Sequence, residues 1–356
     1  MDVESAVPDA VLAIIALIVS ATLLEAFLQP RSRALKERLL SFDFLKGVCI
    51  VFIIMMHVKD IAPIAPMLES MLWLAVPSFI FASGYLISRR NPEGIGKGYF
   101  WKIWWRIGLT YILFTVLWML LTQVPLTGLP LYLLLGRANG GIFYFIPVLV
   151  SLYVIYPLLW EARKRMGWTP FLLLALCFSA LSEYMDLQYA AVSWDANPLS
   201  LAFFGRLLFV FTAGMYLAGM DMKRVSGWIP AAFALCISVA AVALVGQQWF
   251  HFFAYFFGPV AFSYLVLAVH GVLSDMTRAV SAVFEELGKN SLIIYMTHST
   301  ILYMVLKPNI GEYQGAEGLF FALVLAAAAL SYVCSVIFMK AYGTILQAAG
   351  ISKEAS

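Results

Sequence analysis

Two ionisable residues eleven positions apart, Lys46 and His57, carry the clearest chemical potential in this chain. They lie in an apolar run that opens Ser41-Phe42-Asp43-Phe44-Leu45-Lys46-Gly47 and ends at His57-Val58. At about 100° per residue, eleven steps bring two helical side chains back to nearly the same face, roughly 16 Å apart along the axis. Ionisable groups inside a membrane helix are costly and are usually paired or turned toward a cavity, so this stripe is the first candidate for function. Histidine can take up and return a proton near neutral pH. Asp43 and Lys46 also admit a plainer reading as a helix end, with Ser41 as cap, Asp43 favoured by the helix dipole and Lys46 snorkelling to the interface. His57 lies too deep for that account.

Other polar residues interrupt apolar runs further along. Arg206 falls inside the run 200–219, where a cation calls for a carboxylate or an aqueous cavity. A structural ion pair with Glu183 or Asp186 of the preceding run competes with a role in catalysis. In 290–306, Ser291, Tyr295 and His298 share one helical face at i, i+4 and i+7, a polar stripe that either lines a site or joins helices. Ser83-Gly84 interrupts 67–88, where a Ser/Gly pair permits a kink or a close backbone approach. Lys102 and Arg106 lie one turn apart near the start of 99–122; both snorkelling and the binding of an acidic cosubstrate suit them. His251 and His270 read as packing residues at the ends of the ninth run. No spacing suits zinc, and there is no nucleophile elbow, Walker loop or dinucleotide fingerprint. Cys49, Cys177, Cys236 and Cys334 fall at unrelated spacings within apolar runs and read as small buried residues.

The elements that must position these groups are membrane helices. The chain is 63% hydrophobic and 12% charged, against about 25% charged for an average protein. Eleven apolar runs are long enough to span a bilayer: 8–28, 44–61, 67–88, 99–122, 142–160, 170–187, 200–219, 228–248, 252–273, 290–306 and 318–340. The fold class is therefore all-α and polytopic, in contact with the lipid bilayer. The net charge of +3 is spread over loops and implies no nucleic-acid partner. Basic residues gather in alternate loops (Arg31, Arg33, Lys36 and Arg38; Arg89, Arg90 and Lys97; Arg163, Lys164 and Arg165; Lys223 and Arg224; Arg278 and Lys289). The positive-inside rule puts these loops and the C-terminus in the cytoplasm and the N-terminus outside. Trp101, Trp104 and Trp105 form the matching interfacial belt. The first run follows Asp2, Glu4 and Asp9 with no basic residue, so it reads as a retained helix and not a secretory signal.

Several stretches in order resemble membrane acyltransferase family 3, bacterial enzymes that O-acylate cell-surface glycans. Ser41 to His57 is similar to the family's opening helix, with Arg or Lys, ten residues, then His. Phe79-Ile80-Phe81-Ala82-Ser83-Gly84-Tyr85 resembles its Ser-Gly-Tyr segment, and Lys102 to Tyr111 its arginine-rich helix start. Gly141 to Pro157 resembles a fifth region, and Leu287-Gly288-Lys289-Asn290-Ser291 through Tyr295 and His298 its late helix. Here Lys102 and Arg106 stand for the family's paired arginines, and Gly141-Ile142-Phe143-Tyr144-Phe145 for its His-Trp-Phe-Leu segment.

The resemblance implies a ten-helix acyltransferase core over 41–345, with an extra N-terminal helix and basic linker in 1–40 and a short tail in 346–356. It implies a bacterial plasma-membrane enzyme moving an acyl group, acetyl foremost, from cytosolic acetyl-CoA or another acyl-CoA to a hydroxyl of a glycan or lipid-linked sugar, without a metal, within a polysaccharide-biosynthesis complex. His57, Lys46 and Asp43 would be catalytic; Lys46, Lys102, Arg106 and Arg90 would bind the donor. Ser83, Arg206, Ser291, Tyr295 and His298 would serve the oxyanion or acceptor. A transporter or flippase of a glycan intermediate, and a non-catalytic subunit of a polysaccharide-export complex, stay open beside this reading.

Overall fold

The computed structural model describes residues 40–62, 64, 66–96, 98–136, 138, 141–189, 205–220, 256–276, 278–310 and 317–348. The expected runs 8–28 and 228–248 lie outside these residues. Every regular element described is helical. The helices, in chain order, are α1 (Leu40–Val58), α2 (Pro66–Leu72), α3 (Ala75–Arg90), α4 (Tyr99–Leu121), α5 (Leu129–Leu135), α6 (Phe145–Met166), α7 (Trp168–Tyr189), α8 (Leu208–Ala218), α9 (Gly258–Met276), α10 (Arg278–Lys289), α11 (Ser291–Leu306) and α12 (Glu317–Ala348). Short helical turns, Leu126–Gly128, Ile142–Tyr144 and Lys307–Ile310, connect or extend them.

Leu40–Val58, Tyr99–Leu121, Ile142–Met166, Trp168–Met185 and Gly318–Thr344 are long and apolar enough to cross a membrane. Shorter apolar helices accompany them, at Leu126–Leu135, Leu208–Ala218, Gly258–His270 and Ser291–Leu306. Large apolar side chains face outward; Leu158 and Leu325 are each 71% exposed. Such surface is at home in lipid and costly in water.

The run 67–88 is not one helix. It breaks at Trp73–Leu74 into α2 and α3. Pro77 explains the break: its ring collides with the carbonyl four residues back, at Trp73, and it has no N–H to donate. A helix restarting at Ala75 accommodates Pro77 in its first turn. Helix α1 begins at Leu40, so Ser41 stands inside its first turn and is not the cap the sequence suggested.

The described residues divide into two compact units, one running up to Leu72 and resuming at Ala282, the other spanning Trp73 to Ser281. In the first, α1 packs against α10, α11 and α12. The closest approach uses two glycines. A Cβ at Gly47 would collide with the Phe284 carbonyl, and one at Gly288 with the Asp43 carbonyl. Phe44 and Phe284 meet edge to face beside this contact, at 5.4 Å. In the second unit, α3 and α8 interlock in the same way, through Gly84 against Phe211 and Gly214 against Phe81.

Gly288→Ala is therefore expected to push α10 away from α1 and to cost about 1–3 kcal/mol or more. The melting temperature of purified protein in detergent measures it. Gly343→Ala, whose Cβ would meet nothing within 4 Å, is the matched control and should melt as wild type.

Candidate active site

The first unit places His57 in the last turn of α1, half-buried, beside His298 of α11. The ring centroids are 5.2 Å apart and the planes are tilted by 41°. The two residues are 241 positions apart in sequence, and nothing in the spacing announced that they would meet. The His298 side chain is fully buried, at 0% exposure. Its Nδ1 lies 2.7 Å from the Tyr295 carbonyl oxygen and 3.3 Å from that of Ile294. Its Nε2 has no hydrogen-bond partner among the described residues. The Tyr295 ring is 5.8 Å from that of His298 and is buried with it.

At the other end of α1, Asp43 and Lys46 form an ion pair of 2.8 Å between Oδ1 and Nζ. Their side chains are only 4% and 16% exposed. Lys46 is thus largely enclosed and matched by a buried carboxylate one turn earlier. Because Gly288 meets the Asp43 backbone while His298 meets His57, α11 runs alongside α1 in the same direction. Ser291 is buried at the start of α11, and at 1.5 Å per residue it stands about 10 Å before His298. It therefore lies between the depths of Lys46 and His57, while Tyr295 belongs with the histidines.

A network the sequence reading missed closes the Asp43 end. Glu286 accepts from Lys289 Nζ at 2.8 Å and from Asn290 Nδ2 at 3.1 Å, and Asn290 Oδ1 accepts from Ser335 of α12 at 3.0 Å. Beyond His57, Tyr303 donates to Asp60 at 2.9 Å, and Lys59 pairs with Glu69 of α2 at 2.6 Å. Polar residues thus bracket the helix pair at both ends, with the histidines between.

The second unit holds the remaining candidates. Arg90 ends α3 and is exposed. Lys102 and Arg106 are exposed on α4, and Arg106 sits in a π-helical turn, Trp104–Gly108. Single π turns are frequent at functional sites. The hydroxyl of Tyr153 in α6 lies within electrostatic reach of Arg90 and Arg106 and near the Ser83 hydroxyl. Tyr153 thus gathers three of the candidates, and it lies within 141–157, one of the stretches quoted above. Ser83 Oγ donates to the Phe79 carbonyl at 2.8 Å. Arg206 pairs with Glu183 at 2.6 Å, Nε to Oε2, with the side chains 7% and 1% exposed. This is the structural ion pair that the sequence offered as one of two readings. Among the described residues no group of three or more His, Cys, Asp or Glu could hold a metal ion.

The helix that carries Lys46 and His57 and the helix that carries His298 are two of the stretches that resembled acyltransferase family 3. Comparison with known proteins decides the matter: the sequence profile of the acyltransferase domain of family 3 matches residues 39–340. The chain belongs to acyltransferase family 3. It is also similar to the Bacillus subtilis (strain 168) protein named "Putative membrane-bound acyltransferase YfiQ", with 25% identity over 225 residues. That match covers 56% of this chain and 61% of the relative, so the chain spans about three fifths of that protein's length. With several helices apt to cross a bilayer, this family 3 member is a multi-pass membrane protein.

Proposed function

We propose that this acyltransferase moves an acyl group, acetyl foremost, from cytosolic acyl-CoA to a hydroxyl of a cell-surface or exopolysaccharide sugar, free or lipid-linked. In this reading it lies in a bacterial plasma membrane, N-terminus outside, with ten core spans and an added first helix. The single observation that supports it most is the placing of His57: half-buried, against a second histidine, about 16 Å along α1 from the Asp43–Lys46 pair.

That spacing suits a long donor. Lys46 meets the anionic, cytosolic part of acyl-CoA, and the thioester reaches the depth of His57. Arg90, Lys102 and Arg106 offer further cationic groups for phosphates. The His57 imidazole removes the proton from the sugar hydroxyl as its oxygen bonds to the thioester carbonyl carbon. The tetrahedral oxyanion that forms needs a hydrogen-bond donor, a role suited to the Tyr295 hydroxyl. Collapse then breaks the carbon–sulfur bond, and the CoA thiolate takes the proton from the His57 imidazolium. The protein ends the cycle in its starting protonation state, and the acyl group ends as an ester.

Lys46→Ala is expected to raise the donor KM severalfold or more while changing kcat little, because Lys46 meets a part of the donor that does not react. The substitution also removes a partner from the buried Asp43 carboxylate. The double variant Asp43→Asn/Lys46→Ala separates the two effects: it should restore the melting temperature and leave the KM high. Mass spectrometry of surface glycans from deletion and complemented strains tests the reading as a whole. It predicts an ester-linked acyl group that disappears with the gene and returns with it; identical glycans in both strains would contradict it.

A further inference from the structure

The buried state of His298 carries information about His57. A carbonyl oxygen can only accept a hydrogen bond, and the Tyr295 carbonyl lies 2.7 Å from His298 Nδ1. In the neutral ring the proton therefore sits on Nδ1, and Nε2 is left as a bare acceptor. That acceptor is fully buried and has no donor among the described residues, a costly condition unless something supplies one. A ring packed against that of His298 is the His57 imidazole, at 5.2 Å between centroids. An N–H···N bond of about 2.9 Å implies a centroid spacing of about 5 Å, since each nitrogen lies roughly 1.2 Å from its ring centre. The separation already fits, and rotation of the half-buried His57 ring sets the angle.

We propose that His298 is the positioning residue for His57. In the acyl-transfer reading, on which this inference rests for its catalytic meaning, His57 donates its one N–H to His298 Nε2. Its other nitrogen is then bare and free to take the proton of the acceptor hydroxyl. When His57 becomes an imidazolium, the bond to His298 holds the ring in place and disperses the charge. The arrangement does with a neutral imidazole what a carboxylate does behind the histidine of a hydrolase triad. It also separates the duties of the two histidines: His57 is partly open to a substrate, and His298 is sealed. The sequence offered His298 as an oxyanion donor, but a neutral ring whose N–H is spent on the Tyr295 carbonyl has none left to give.

The chain has four histidines, few enough to assign by single substitution in nitrogen-15 spectra of the full-length protein in detergent. The expected result is one fixed tautomer for His57 in wild type, a tautomer mixture in His298→Leu, and a fixed tautomer again in His298→Gln, whose amide oxygen supplies an acceptor near the position of Nε2. With labelled acetyl-CoA, His298→Leu should lose about 10²-fold in kcat, with the donor KM unchanged and partial recovery in His298→Gln. An unaltered His57 spectrum in a folded His298→Leu protein would overturn the proposal. So would equal loss in both variants with a raised donor KM, which marks a packing role. A fixed His57 tautomer that depends on His298, in a protein that transfers no acyl group, would uphold the positioning and overturn only the acyl-transfer reading.

Discussion

His57→Ala is expected to lower acyl transfer by about 10²- to 10⁴-fold, the span usually removed with a general base, while donor KM stays near wild type. The position favours a clean result. His57 lies in the last turn of α1 and is half-buried, and alanine is a strong helix former. The helix is anchored elsewhere, by the Gly47 and Gly288 contacts and by a buried row that includes Phe42, Leu45, Ile50 and Ile54. A melting temperature close to wild type with nearly all catalysis lost is the expected pair of readings. Wild-type turnover in the variant would remove His57 from the chemistry and shift attention to His298.

The second large effect is on stability. Arg206 and Glu183 face each other within the second unit, almost wholly out of contact with the surroundings. Ser179 holds their segments together, donating to the Gly205 carbonyl at 2.7 Å and accepting from the Phe209 N–H at 2.9 Å. Removing one member of a buried pair strands the other charge, so Arg206→Met should destabilise by about 3–5 kcal/mol. Glu183→Leu/Arg206→Met, which removes both charges, should regain most of it, and unfolding curves of the four proteins of the cycle give the coupling. If Arg206 serves structure alone, the double variant also keeps wild-type kinetics. A double variant that is stable but impaired in kcat would instead assign Arg206 to the acceptor or the oxyanion.

How far the sequence disclosed this arrangement depends on the range of the signal. Long apolar helices were legible because a bilayer-spanning run marks itself: 99–122 and 142–160 correspond to Tyr99–Leu121 and Ile142–Met166. The break at Trp73 was missed although its cause, Pro77, is local; the apolar run continues across it and concealed the restart. Helix α10, Arg278–Lys289, was missed because its charged face lowers its mean hydropathy below that of a span. In the site, the stripe of Lys46 and His57 followed from helical period alone, as did the burial of Ser291, Tyr295 and His298 on one helix. The pair Glu183–Arg206 was within reach because the runs that carry them are consecutive. The meeting of His57 with His298 was not, because helix partners far apart in sequence are chosen by packing, here by glycines that let α1 and α10 touch. Tyr153 was overlooked for the same reason: its neighbours Ser83, Arg90 and Arg106 come from other helices.

The most direct test is transfer in a purified system. Detergent-solubilised protein is incubated with acetyl-CoA labelled in the acetyl group and with crude cell-envelope glycan, beside the His57→Ala variant. The account predicts label in the glycan fraction, released by mild alkali as an ester and absent with the variant. Label that stays in acetyl-CoA with wild-type protein, together with uptake of the glycan intermediate into protein-bearing vesicles, would contradict it and identify a transporter.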